Sequence, residues 1–203
     1  GERLLERIKQ KMLSVVGEDL YYAVLNPAQA ALMLYGIPPP TPKETILLME
    51  EIFVKKEKLL EKKYVQVLAD IREAYKNIEH GKTKEVSGKD IDDMLKDAQD
   101  YLKRIKELFK QIAEKSSKQT ILDTYDACIS VTRDLLALKG VEAVSEEKIF
   151  DVFKEKLIEE EKIPEKLLRI LKDIKKAKTD YLAGKMGRHE LEKAKKDANM
   201  YIR

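Results

Sequence analysis

The sequence predicts an all-α protein made of two tandem antiparallel helical bundles, each a copy of one helical unit. Three observations predict it. Apolar residues recur at spacings of three and four along most of the chain, and no strictly alternating run rich in Val, Ile and Thr occurs. Charged residues are 38% of the 203, against roughly 25% in an ordinary soluble domain, and they are mostly Lys and Glu with only 8 Gly, a composition that favours helix. Lastly, the pattern of the first hundred or so residues begins again.

The first stripe is Leu4, Leu5, Ile8, Met12 and Val15. Gly17 is expected to interrupt it, with Asp19 capping a second helix to about Leu34 that Gly36 ends. Pro38-Pro39-Pro40 cannot be helical. Thr41-Pro42-Lys43-Glu44 then supplies an N-cap Thr, a proline at the first helical position and a glutamate at the third, which together form a capping box. This predicts a helix from Pro42 to about Lys56. Another is expected from about Leu59 to Glu79, either separate from the one before or continuous with it, and it stops at His80-Gly81. Ser87 and Asp90 open a long helix through Leu95, Leu102, Ile105, Leu108 and Ile112, with Ser116-Ser117 as the expected break.

The restart has a near-constant offset. Asp19, Tyr21, Ala23, Leu32, Leu34 and Gly36 return 104 positions later as Asp123, Tyr125, Ala127, Leu136, Leu138 and Gly140. Leu4, Leu5 and Ile8 fall on Leu108, Phe109 and Ile112, and Thr41 falls on Ser145, expected to be a second cap. Leu68, Asp70, Ile71, Ala74, Gly81 and Lys82 match Leu171, Asp173, Ile174, Ala177, Gly184 and Lys185 at offset 103. Asp97, Ala98 and Tyr101 match Asp197, Ala198 and Tyr201 at offset 100. Short deletions in loops absorb the drift at least cost. The expected domains are residues 1–115 and 116–203.

Composition excludes several classes. A net charge of +3 is far from the basic excess of a dedicated nucleic-acid binder, although local patches remain. Cys128 is the lone cysteine, so an internal disulfide and a cysteine-rich zinc site are both ruled out, and its apolar surroundings mark it as a buried hydrophobe. No apolar run reaches the roughly 18–20 residues of a membrane span, which together with the lack of a signal peptide makes the cytoplasm the expected location. The Lys/Glu bias fits a thermophilic source. The chain opens Gly1-Glu2-Arg3 and closes in a helical pattern at Tyr201-Ile202-Arg203, as a fragment of a longer protein would.

No catalytic constellation emerges, and no metal or cofactor is expected. His80 and His189 have no partners at zinc spacing. Asp92-Asp93 and Glu159-Glu160-Glu161 are consecutive and fan around a helix. Asp90-Ile91-Asp92 opens a helix, where positions i and i+2 diverge, so it cannot hold magnesium as an Asp-x-Asp strand does. Gly81-Lys82-Thr83 ends like a phosphate-binding loop, but Lys76 stands where the first glycine belongs, and the segment reads as a helix stop. Basic residues concentrate at Lys55, Lys56, Lys62, Lys63, Arg72, Lys76, Lys82 and Lys84, and again at Lys172, Lys175, Lys176, Lys178 and Lys185, with Tyr64, Tyr75 and Tyr181 among them. Cations beside aromatics can follow a phosphate backbone and stack bases. Interleaved acids make a solvated helix face the competing reading.

The frame of the repeat resembles the HEPN family of four- to five-helix bundles. Asp-x-Tyr-x-Ala opens a helix, Gly follows about thirteen residues beyond the Ala, and a later helix ends Asp-Tyr-x-x-Gly. The second copy carries this as Asp123, Tyr125, Ala127 and Gly140, then Asp180, Tyr181 and Gly184, then Ala198 and Tyr201. The first has Asn77 and Ile78 in place of the Asp-Tyr pair. The resemblance implies partnership with a nucleotidyltransferase domain of the polymerase-β-like superfamily, here on the same parent chain, as in archaeal-type enzymes. It also implies, for some members, ribonuclease activity from Arg, four to six residues, then His on one helix. Arg72 and His80 have seven residues between them and Lys175 replaces Arg72 in the second copy, so that pair is not reproduced. The reading that follows is a non-catalytic module that binds nucleotide or RNA, or scaffolds the attached enzyme, including by homodimerisation through an exposed apolar groove. Its expected contact residues are Arg72, Lys76, His80, Lys175 and Lys176. A degenerate ribonuclease and a purely structural interaction domain are the alternatives.

Overall fold

The structure, a computed structural model, describes residues 2–83, 85–141, 143–160 and 163–202. Among them the protein is all-α, with no strand. Lys84 of the basic concentration and Glu161 of the acidic run lie outside the described residues. No described helix is long and apolar enough to cross a membrane. The chain divides into two compact units, Gly1–Ala113 and Glu114–Arg203.

In the first unit α1 spans Glu2–Leu34 without interruption. Gly17 therefore does not break the helix, and Asp19 lies inside it rather than capping a new one. The reason is tertiary. A Cβ on Gly17 would stand 3.2 Å from Ile78 Cδ1 and 3.8 Å from the Tyr75 ring, so the glycine lets α1 approach these side chains closely. That contact outweighs the roughly 1 kcal/mol that glycine costs a helix relative to alanine. Pro27 is also inside α1. It removes a donor from the Ala23 carbonyl, and Ala23 is exposed, so water can replace the lost bond. Gly36, at φ +102°, closes the helix: its N–H reaches Met33 O and that of Ile37 reaches Leu32 O, a Schellman motif.

The capping box at Thr41 forms as expected. Glu44 N–H donates to Thr41 Oγ1, Thr41 N–H donates to the Glu44 carboxylate, and α2 spans Pro42–Leu48. It continues as a π-helical segment, π1, over Met49–Lys56. Lys58 takes a positive φ of 54° and the N–H groups of Leu59 and Leu60 both reach Phe53 O. This sharp stop separates the two helices and delays α3 to Lys62–Glu79, three residues after the expected Leu59. Gly81, at φ +68°, ends α3 with a second Schellman pair, as a helix stop and not a phosphate loop.

Ser87 and Asp90 then cap one another, with Asp90 N–H on Ser87 Oγ, and α4 runs from Gly88 to Ala137. The expected break at Ser116-Ser117 does not occur. Neither glycine nor proline is present there, and the local hydroxyl of Thr120 donates back to the Ser116 carbonyl inside the helix. Residues of α4 up to Ala113 belong to the first unit and those from Glu114 to the second.

The core of the first unit gathers Val24, Leu25, Ala28 and Leu32 of α1, Met49 and Phe53 of π1, Leu68 and Ile71 of α3, and Tyr101, Ile105 and Leu108 of α4. Within it the Tyr101 hydroxyl donates to the Val24 carbonyl at 3.1 Å. Arg104, with a side chain only 12% exposed, binds Glu61 at 2.9 Å and the Leu59 carbonyl.

In the second unit α4 ends in another Schellman pair at Gly140, φ +73°. Ser145 does not cap the next helix by its side chain. Lys148 stands where the capping box needs a glutamate, and the short α5, Ile149–Phe153, begins only after a turn in which Lys148 and Ile149 N–H reach Ser145 O. A second π-helical segment, π2, covers Lys154–Ile158. Then come α6, Glu165–Leu182, stopped by Gly184 at φ +69°, and α7, Arg188–Ile202. Tyr125, Cys128, Ile129, Leu136, Phe153, Leu171, Ile174 and Tyr201 form the main core, and Ile121, Ala177, Leu191 and Ala194 a smaller one. The Tyr201 hydroxyl lies 2.7 Å from that of Thr132, which in turn donates to the Cys128 carbonyl at 2.7 Å.

Buried neutral groups set the alkaline limit of this fold. Burial pushes the Cys128 thiol from its ordinary 9.0 up to about 11 and, as the largest cause, Tyr201 from 10.0 to about 12; it raises Tyr101 as well. Folded values above unfolded ones mean that this stability is complete below the unfolded values and is lost as pH rises through the folded ones. Denaturant unfolding followed against pH should therefore show stability falling above about pH 9, and more steeply above about pH 10; a flat profile up to about pH 11 would contradict it. Gly36→Ala forces a side chain into a positive-φ position, and chemical denaturation should report a loss of about 1 kcal/mol or more.

Candidate nucleic-acid interface

The apolar stripe of α6 is buried at Leu168, Leu171, Ile174 and Ala177, which leaves its other faces to charge. Lys166, Arg169, Lys172, Lys175 and Lys176 stand exposed on them, over a rise of about 15 Å at 1.5 Å per residue. Two open clefts flank the row. One, of about 520 Å³, is lined by Glu165, Lys166, Leu168, Arg169 and Lys172. The other, of about 440 Å³, is lined by Glu147, Phe150, Lys172, Lys175, Lys176, Thr179 and Asp180. Lys172 borders both. Among the described residues, Lys172, Lys175 and Lys176 have no carboxylate within ion-pair distance, and Lys175 Nζ instead sits 4.5 Å from the centre of the Phe150 ring.

Lys178, one turn on, is different. Its Nζ lies 3.8 Å from the Tyr125 ring centre and 3.9 Å from Glu146 Oε1, and the Tyr125 hydroxyl donates to the same oxygen at 2.6 Å. The Tyr125 hydrogen bond, more than any nearby cation, holds the Glu146 carboxyl below its ordinary value, while burial first and Glu146 second push Tyr125 up. Lys178 is thus partly neutralised by the fold, and its three neighbours at 172, 175 and 176 are not.

In the first unit the expected residues are engaged differently. Arg72 Nε is buried and unpaired, and its guanidinium lies beside Tyr21, where it opposes the rise that burial imposes on that phenol. Tyr21 stacks on Tyr75 with ring centres 4.8 Å apart and touches Tyr22 at 5.1 Å. Lys76 lies 2.6 Å from Glu79, which raises its affinity for the proton first through that hydrogen bond. His80 is exposed at the C-cap of α3. Eight positions of helical rise put it about 12 Å along the axis from Arg72, so the two do not converge.

Of the five residues singled out by sequence, then, Lys175 and Lys176 share a cleft, Arg72 and Lys76 adjoin the tyrosine cluster, and His80 stands apart. Lys166 and Arg169 were not singled out. Their signal was the spacing with Lys172 and Lys176 after Pro164, which puts cations three and four apart on one helix. Among the described residues no group of His, Cys, Asp and Glu is arranged to hold a metal ion. No family model, curated protein or solved structure matches the chain.

The Tyr125–Glu146 bond can be checked directly. A carboxyl-detected NMR titration should place Glu146 below its ordinary value of 4.5, and Tyr125→Phe should bring it part of the way back up. No change on losing the phenol hydroxyl would contradict this assignment.

Proposed function

We propose that the chain is a non-catalytic helical module that binds the phosphates of RNA or a nucleotide along α6, and serves a nucleotidyltransferase domain on the same parent chain. The observation that carries it is the row of exposed cations on α6, of which Lys172, Lys175 and Lys176 have no acidic partner among the described residues. A cation already paired has spent its attraction on its partner, whereas an unpaired one releases counterions when a phosphate arrives. Phe150 in the same cleft offers an apolar ring beside those charges.

The same proposal reads the two units as tandem antiparallel copies of a HEPN-like bundle. Each orders its elements alike: a long helix ended by a glycine Schellman motif, a helix that turns π-helical, then a second glycine-ended helix and a final one bearing a buried Tyr. The Arg72 guanidinium turned towards Tyr21, and His80 on another level of the helix, favour binding over RNA cleavage. The Lys/Glu-rich composition supports a thermophilic source, the HEPN-like resemblance an archaeal one, and the want of an apolar run of membrane-spanning length a cytoplasmic one.

Labelled single-stranded RNA incubated with the protein at low and moderate salt tests the reading. Retardation should be salt-sensitive and without cleavage. Lys172→Glu combined with Lys176→Glu, both exposed, should weaken binding about tenfold or more and lower the salt slope by about one to two. Binding indifferent to these charge reversals, or none at low salt, would overturn the α6 assignment, and cleavage abolished by His80→Ala would replace it with the ribonuclease.

A further inference from the structure

The cleft of about 440 Å³ beside α6 is divided along its length into donors and acceptors. Lys172, Lys175, Lys176, Thr179 and Asp180 line it at the i, i+3, i+4, i+7, i+8 spacing of one helical face. The three lysines at the leading end can only donate. One turn on, the Thr179 hydroxyl gives its proton to the Lys175 carbonyl at 3.1 Å, which leaves its oxygen to accept. The Asp180 carboxylate beside it can only accept. Glu147, from the turn ahead of α5, adds a second carboxylate to the lining.

Nothing in the packing accounts for Asp180. Among the described residues no salt bridge or side-chain hydrogen bond engages it or Glu147. It stands half-buried in the last turn of α6, where the free carbonyl groups of a helix disfavour negative charge, and that turn holds no basic residue to offset it. The carboxylate also opposes the three lysines, since it repels any anion they attract. A residue that works against both its helix and its cleft breaks a local rule without a structural cause, and such breaks gather at functional positions. The ligand that fits this division carries an anion at one end and a hydroxyl donor one turn away.

We propose that Asp180 is the group by which the α6 site recognises ribose: a phosphate of the strand lies on Lys172, Lys175 and Lys176, and the 2′-hydroxyl of the adjoining sugar donates to the Asp180 carboxylate. This rests on the phosphate-binding reading of α6 and narrows its ligand to RNA. Lys176 and Asp180 are four positions apart, about 6 Å along the helix axis, a step that suits a phosphate and the sugar bonded to it. The 2′-hydroxyl is the group that separates RNA from DNA at a given site. A carboxylate that receives a ribose hydroxyl is also how dinucleotide sites hold their sugar. A deoxyribose strand brings its phosphates to the same lysines but leaves Asp180 facing a polyanion with no hydroxyl to accept from.

Three strands of equal length test this: oligouridine, oligodeoxyuridine and 2′-O-methyl oligouridine, which differ only at the 2′ position. Fluorescence anisotropy with the full chain should show oligouridine bound about tenfold tighter than either of the others, the scale of one hydrogen bond to a charged group. Asp180→Ala, a change that favours helix, should bring the three within about twofold, mainly by strengthening the two strands that lack the hydroxyl donor, and should leave the salt slope in place. Lys172→Glu with Lys176→Glu should weaken all three strands in proportion. Equal affinity for the three strands, or a preference that persists in Asp180→Ala, would overturn the ribose assignment and leave the phosphate-binding reading standing. No binding of any strand at low salt would overturn both.

Discussion

A single buried hydrogen bond ties the end of the first unit to its beginning. The Tyr101 hydroxyl, buried among Leu and Ile side chains, finds its acceptor in the carbonyl of Val24, 77 residues earlier. A phenol buried without such a partner would cost about 1–3 kcal/mol. The pairing therefore fixes where α4 lies along α1. With that register set, Ile105 and Leu108 fall into the same core, and Arg104 reaches the Leu59 carbonyl and Glu61 at the head of α3.

The second unit meets the same constraint with one more hydroxyl. At the sequence offsets of 100 and 104, Tyr201 falls on Tyr101, Cys128 on Val24 and Thr132 on Ala28. Where alanine leaves the phenol free to reach the helix carbonyl, threonine stands in the way, bonds that carbonyl itself and accepts or shares a proton with the phenol. In each unit the bonds end on a helix carbonyl, that of Val24 in the first and that of Cys128 in the second. Away from this clasp the units diverge. Tyr75 and Arg72, which join an aromatic cluster in one, are replaced by Lys178 and Lys175 in the other, so the first presents stacked rings and the second presents charge. Packing constrains the buried frame and leaves the outer faces of α3 and α6 free to take different chemistry.

How much of this could be read beforehand follows from how local each cause is. The caps at Thr41 and Ser87 and the stops at Gly36 and Gly81 are decided within a few residues, and the sequence displays them. Gly17 looks like a stop by the same logic, but its cause is Ile78, 61 residues away, which no local pattern announces. Ser145 lacks the glutamate that made Thr41 a capping box, a difference visible at Lys148 once the two segments are compared. The π-helical turns carry no local signal. The basic concentrations were legible as such. Which cations remain unpaired was not, because Lys76 and Lys178 lose their freedom to Glu79 and Glu146, the second of them from another element.

The measurement that tests the shared clasp most directly is an experimental structure of the Thr132→Ala variant. Alanine there reproduces the first unit's arrangement at Ala28. The account predicts that the Tyr201 hydroxyl moves onto the Cys128 carbonyl, at a distance close to the 3.1 Å of Tyr101 on Val24, with the helices otherwise in place. A Tyr201 hydroxyl that turns away to water, or stays where it was beside an empty space, would contradict the claim that the Tyr201 phenol is held, through Thr132, on the Cys128 carbonyl.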